Sequence, residues 1–64
     1  SDFIELSNPE QTVYAYEIFD LSGKLVQQGS VTDFIDLSLI QTGSYSLKLS
    51  SGTASFLEKF QVLK

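Results

Sequence analysis

The side chains of this chain that could do acid–base chemistry are carboxylates. The sequence has eight Asp and Glu residues but no histidine and no cysteine, so the commonest general base and any thiolate nucleophile are missing. Asp33 and Asp36 flank a predicted strand and point to opposite faces, while Glu5, Glu17 and Glu58 fall on different strands. A carboxylate pair must face across a cleft to cleave a glycoside. We therefore expect solvated strand faces, no catalytic residue and no cofactor.

Asp20 and Gly23 have the spacing of a turn rather than of a cation site. The segment lacks the alternating oxygen ligands of a calcium loop, so no metal site is predicted. Asp20 can accept hydrogen bonds from turn amides, and Gly23 can take the positive φ that ends a hairpin loop with a bulge. Gly43 and Gly52 are also expected at structural turns.

The aromatic residues could form a platform for a sugar or a peptide. Tyr14, Tyr16 and Tyr45 instead fall at alternating strand positions, where aromatic rings more often pack in a core. Phe19 is the exception, because it faces away from Tyr14 and Tyr16. We expect Tyr45 to lie in the core and the rings of Tyr14 and Tyr16 to lie beside it.

Length and charge exclude several classes of function. Sixty-four residues allow one domain, residues 1–64, whose core supplies at most about 3–5 kcal/mol. The net charge is −4 and the four lysines are dispersed, which argues against nucleic-acid binding. The sequence starts at Ser1 with no signal-peptide pattern, and we expect it to be a piece of a larger protein.

The hydrophobic pattern has a period of two almost throughout, which predicts strands. We expect an all-β fold, a small antiparallel immunoglobulin-like β-sandwich of about six to seven strands. The predicted strands cover residues 3–7, 12–20, 24–28, 33–37, 43–50 and 53–63. In the last strand Glu58 shares a face with apolar residues, so either a bulge near Glu58 and Lys59 resets the register or Glu58 lies near a sheet edge.

Shared parity on successive strands also predicts the residues of the core. They are Ile18, Ile35, Leu37, Tyr45, Leu47 and Leu49.

Four blocks of the sequence resemble one family. Residues 17–26 (EIFDLSGKLV) resemble the V-x-I-Y-D-x-x-G-K-x-V block of the C-terminal sorting domains of type IX secretion, the Por secretion system domains found at the end of many secreted Bacteroidetes proteins. Residues 35–38 (IDLS) and 43–49 (GSYSLKL) are similar to two further strands, and residues 59–64 to a closing strand with a basic end. The family usually opens with Tyr-Pro-Asn-Pro, whereas Asn8-Pro9 here follows the first predicted strand. We therefore expect that the first strand of the sandwich is missing.

The resemblance implies a non-catalytic signal domain. Its partners would be an N-terminal cargo domain of the same polypeptide, the outer-membrane translocation machinery and a sortase-like peptidase. It would pass through the periplasm and leave the cargo secreted or at the cell surface, cleaved or exchanged for an anchor. Lys59, Phe60, Val62 and Lys64 are expected to carry recognition, because a sheet offers an edge or terminal strand for β-augmentation. The alternative is an immunoglobulin-like accessory or carbohydrate-binding module of a secreted glycoside hydrolase.

Overall fold

The computed structural model describes residues 3–64, which form six β-strands and no helix. The predicted all-β sandwich of antiparallel strands is confirmed. The strands are β1 (Phe3–Glu5), β2 (Tyr14–Asp20), β3 (Leu25–Val31), β4 (Phe34–Asp36), β5 (Gly43–Ser51) and β6 (Ala54–Val62).

Two antiparallel sheets make up the sandwich. The larger has the order β3-β2-β5-β6 and the smaller pairs β1 with β4. The central strand β2 is hydrogen-bonded to β3 on one side and to β5 on the other. Each sheet has one apolar face, so the two sheets bury those faces against each other.

The core contains seven buried hydrophobic residues: Ile18, Val31, Ile35, Leu37, Ile40, Leu47 and Val62. Tyr14, Tyr16, Tyr45 and Leu49 are partly buried and pack against this cluster. Strand parity thus identified the inward-facing residues of β2, β4 and β5 correctly. Val31, Ile40 and Val62 were not among the predicted core residues.

The third strand is longer than its sequence indicates. The predicted strand covered residues 24–28, but β3 continues to Val31, with Gly29 opposite Tyr16. A Cβ on Gly29 would lie 3.1 Å from Cε2 of the Tyr16 ring. The glycine therefore makes room for an aromatic ring on the inner face instead of ending the strand.

The turn from β2 to β3 has the predicted form. Gly23 has a φ of +86°, and the β2–β3 register shifts between Ile18 and Phe19. Oδ1 of Asp20 accepts hydrogen bonds from the amides of Ser22 (2.9 Å) and Lys24 (3.0 Å) and from the Ser22 hydroxyl (2.7 Å). The Ser22 hydroxyl, followed by the Lys24 amide, lowers the pKa of Asp20, because these bonds favour the carboxylate.

The other two glycines expected at turns differ from each other. Gly52 has a φ of +60° in the turn between β5 and β6. Gly43, in contrast, is the first residue of β5 and pairs with Val62, so its assignment to a turn was wrong. The β5–β6 register runs without a shift from Gly43 to Ser51. No bulge is therefore present at Glu58, which lies instead on an edge strand.

Two amides connect the sheets outside the core. Nδ2 of Asn8 donates to the carbonyls of Thr12 (2.7 Å) and Thr32 (2.9 Å), which fixes the chain between β1 and β2 to the turn before β4. Nε2 of Gln27 donates to the carbonyl of Asp36 at 2.8 Å, so β3 of the larger sheet is joined to β4 of the smaller one.

Replacing Leu47 by alanine tests the core. Leu47 is 5% exposed and pairs with Ile18 across β5 and β2. We expect Leu47→Ala to lower the free energy of unfolding by about 2–5 kcal/mol, which is as large as the whole stability of a domain this small. Urea denaturation followed by circular dichroism measures the loss. Lys48→Ala, at the adjacent exposed position, should leave the midpoint nearly unchanged, and an equal loss in both variants would contradict the core assignment.

Two substitutions at Gly23 separate backbone strain from crowding. A Cβ at this position would meet nothing within 4 Å, so any cost arises from the positive φ. We expect Gly23→Val to destabilise the fold by more than about 1 kcal/mol, because a β-branched residue resists this backbone conformation. Gly23→Asn should cost less, since Asn tolerates it. Equal melting temperatures for the two variants would exclude strain as the reason for the glycine.

Candidate recognition surface

The four residues predicted to carry recognition lie on β6 and just beyond it. β6 is an edge strand of the larger sheet and pairs along its whole length with β5, from Ser51 opposite Ala54 to Gly43 opposite Val62. The alternation of a strand places neighbouring residues on opposite faces. Phe60 and Val62 consequently face the core and Lys59 faces away from it.

The inward-facing pair is part of the fold. Val62 is 2% exposed and belongs to the core. The Phe60 ring is half-buried and stacks on Tyr45, with ring centroids 5.8 Å apart and an interplanar angle of 29°. The Tyr45 hydroxyl donates to the carbonyl of Gln41 at 2.7 Å. A partner of the folded domain therefore has little access to Val62 and reaches only part of Phe60.

Lys64 is bound to the link between β4 and β5. Its Nζ donates to the carbonyl oxygens of Leu37 (3.1 Å) and Ser38 (2.9 Å), and its backbone amide donates to Oγ1 of Thr42 at 3.1 Å. These three bonds clamp Lys64 against the link between β4 and β5. The ammonium group is consequently engaged within the domain.

The charge of Lys64 also acts on a neighbouring carboxylate. The amide of Ser38 donates to Oδ1 of Asp36 at 2.9 Å. Hydrogen bonds from the Ser38 amide and hydroxyl lower the pKa of Asp36, and the positive charge of Lys64 contributes in the same direction. The Lys64 ammonium group is thus held by two carbonyl acceptors and lies near the negative charge of the Asp36 carboxylate.

Lys59 and Lys64 are both exposed, but only Lys64 has its side chain bound within the domain. Lys59 lies opposite Ser46 on the outer face of the larger sheet, next to exposed Glu58 on the inner face. Of the four predicted residues, Lys59 is the one whose charged group faces solvent without a hydrogen bond among the described residues.

Other features give little support for chemistry or ligand binding. Among residues 3–64, no group of three or more Asp and Glu side chains is arranged to hold a metal ion. No helix in this range could cross a membrane. Shallow depressions lie beside Asp20 and Tyr45 and between Phe3 and Phe34. The Phe3 and Phe34 rings meet edge to face, with centroids 5.8 Å apart, and both are about half exposed (50% and 57%).

Sequence reasoning named these four residues but did not predict which of them are accessible. The strand alternation would have placed Phe60 and Val62 inside. The clamp of Lys64 has no sequence signal, because its acceptors are backbone carbonyls 26 and 27 residues away.

Comparison with known proteins gives a family. Searches of curated proteins and of solved structures returned no match. A family model described as "Secretion system C-terminal sorting domain" matches residues 1–63, nearly the whole chain, in agreement with the four blocks noted in the sequence. This chain belongs to the family of type IX secretion C-terminal sorting domains.

Proposed function

We propose that this domain directs a cargo protein, attached at its N-terminal side, across the outer membrane by type IX secretion. The observation that carries the proposal is the match of the sorting-domain family to residues 1–63. The cargo would then be released by a sortase-like peptidase or exchanged onto a surface anchor. The domain itself would do no chemistry, consistent with a chain that lacks histidine and cysteine.

The fold supports recognition of a folded domain rather than of a flexible tail. Val62, the Phe60–Tyr45 stack and the Lys64 clamp hold the last strand against the sandwich. We propose that Phe60, Val62 and Lys64 act in sorting by keeping β6 in place, and that Lys59 meets the translocation machinery directly. A partner that recognised the side chains of Lys59, Phe60, Val62 and Lys64 at once would require β6 to leave the fold. The domain would then lose Val62 from its core.

The carbohydrate-binding alternative has weaker support. It needs aromatic rings presented on one face, but Tyr14, Tyr16 and Tyr45 are partly buried against the core. Phe3 and Phe34 are exposed but meet edge to face, and they lack the polar groups that usually fix a sugar in its site.

A reporter fusion tests the proposed function. We expect a periplasmic reporter joined to the N-terminal side of this domain to reach the cell surface or the medium in a bacterium with type IX secretion. Deleting residues 60–64 should trap it in the periplasm, because the deletion removes Val62 and the Lys64 clamp. Lys24→Ala, on the exposed turn after β2, should be exported normally. Immunoblots of periplasm, surface and medium provide the measurement.

As a control, the same reporter is fused to a second sorting domain of the family, which shows whether the host can export this reporter. If that domain exports the reporter while the intact fusion described here stays periplasmic, the export function is wrong. Glycan-array binding by the purified domain would then favour the accessory-module alternative.

A further inference from the structure

The outer edge of β6 is long and has no strand beside it among the described residues. β6 has nine residues, no proline and no register shift. Natural proteins usually protect a sheet edge by shortening it, bending it with a bulge or placing proline or charges along it. Here Phe56 and Leu57 are 54% and 68% exposed. Only Glu58 and Lys59 carry charge on this strand.

The opposite edge of the same sheet is different. β3 is joined to the smaller sheet through Gln27 and the carbonyl of Asp36. The end of β3 leads directly into a turn held by Asn8, whose Nδ2 donates to the Thr32 carbonyl. β6 is therefore the more accessible of the two edges of the larger sheet.

The hairpin geometry indicates which backbone groups this edge presents. Ser51 and Ala54 pair across the two-residue loop of Gly52 and Thr53, and of these two only Gly52 has a positive φ, as in a type II′ turn. The pair that flanks such a loop exchanges both backbone hydrogen bonds, and bonded pairs then alternate along the ladder. The amides and carbonyls of Leu57 and Lys59 consequently point away from β5, toward the open edge.

A second copy of the chain is a poor occupant. Two copies of β6 that pair along their full length, antiparallel about a twofold axis, would place Glu58 opposite Glu58. Moving the axis by one residue places Lys59 opposite Lys59 in one direction and Leu57 opposite Leu57 in the other, so two of these three registers oppose like charges. Like charges directly opposite one another destabilise a sheet. Each copy also carries a net charge of −4, which adds repulsion between copies.

We propose that the open edge of β6 is the docking site for an extended strand of the export machinery. This inference rests on the proposed export function. The partner strand pairs with the outward backbone groups of Leu57 and Lys59. It carries a carboxylate opposite Lys59 and, at the adjacent position, a cationic side chain opposite Glu58. Backbone pairing provides affinity in this mode of recognition, and the order of the two charges provides selectivity.

A charge exchange on β6 tests the inference in the reporter fusion. The double variant E58K/K59E keeps the composition and the net charge but reverses the order of charges at the edge. Its matched control is E17K/K48E. Glu17 and Lys48 are directly paired between β2 and β5, within the sheet and away from its edge. We expect loss of surface reporter for E58K/K59E and export at the level of the original domain for E17K/K48E.

A proline provides a second, independent variant. Leu57→Pro removes an amide that points to the open edge, which an edge strand tolerates better than loss of an amide bonded to its neighbour. It should also abolish export. Thermal melts of the purified domains should show that E58K/K59E remains folded, so that the outcome does not depend on the proline variant.

The outcomes separate the inference from the function on which it rests. Normal export of folded E58K/K59E would overturn the docking edge and leave the export function intact. Failure of the original domain to export would overturn both. Sedimentation of the original domain should show a monomer, and a dimer that E58K/K59E disrupts would assign the edge to a second copy and overturn the proposal.

Discussion

The fold depends on burying one small apolar cluster between two sheets of unequal size. Ile18, fully buried at the centre of β2, faces Ile35 of the smaller sheet across the interior formed by the core cluster. The chain has no cysteine that could cross-link it, and burial of apolar surface supplies most of the driving force for folding. A chain of 64 residues buries only about 60% of its unfolded surface, so each of the seven core residues matters more than in a larger domain.

Because the core is small, the chain uses polar groups to hold the parts that the core does not reach. The Asn8 amide fixes the segment after β1, and the Gln27 amide joins β3 to β4. The Lys64 ammonium holds the C-terminal end against the β4–β5 link. Each of these groups bonds to backbone carbonyls at the margins of the sandwich.

The packing of β6 into the sandwich changes how a sorting signal of this family can be understood. A signal at the end of a chain could be a flexible peptide, recognised by its side chains alone. In this domain Val62 is a core residue and Lys64 is clamped, so β6 is presented as the edge of a folded sheet. The cargo side of the polypeptide and the accessible edge belong to different sheets, since β1 lies in the smaller sheet and β6 in the larger one.

Local chemistry was enough to predict much of this structure. Alternation of apolar residues gave the six strands and the inward faces of β2 and β5, because the side-chain period of a strand is independent of its partners. The turn at Asp20 and Gly23 was also predictable, since a positive φ and an Asx turn are properties of neighbouring residues. The tertiary structure decided what depends on residues far apart. It placed Gly29 beneath Tyr16 and Ile40 in the core. The tertiary structure also buried Val62 and bound Lys64 to distant carbonyls. Lys59 and the outer edge of β6 stayed accessible, because the accessibility of a residue depends on which strands lie side by side.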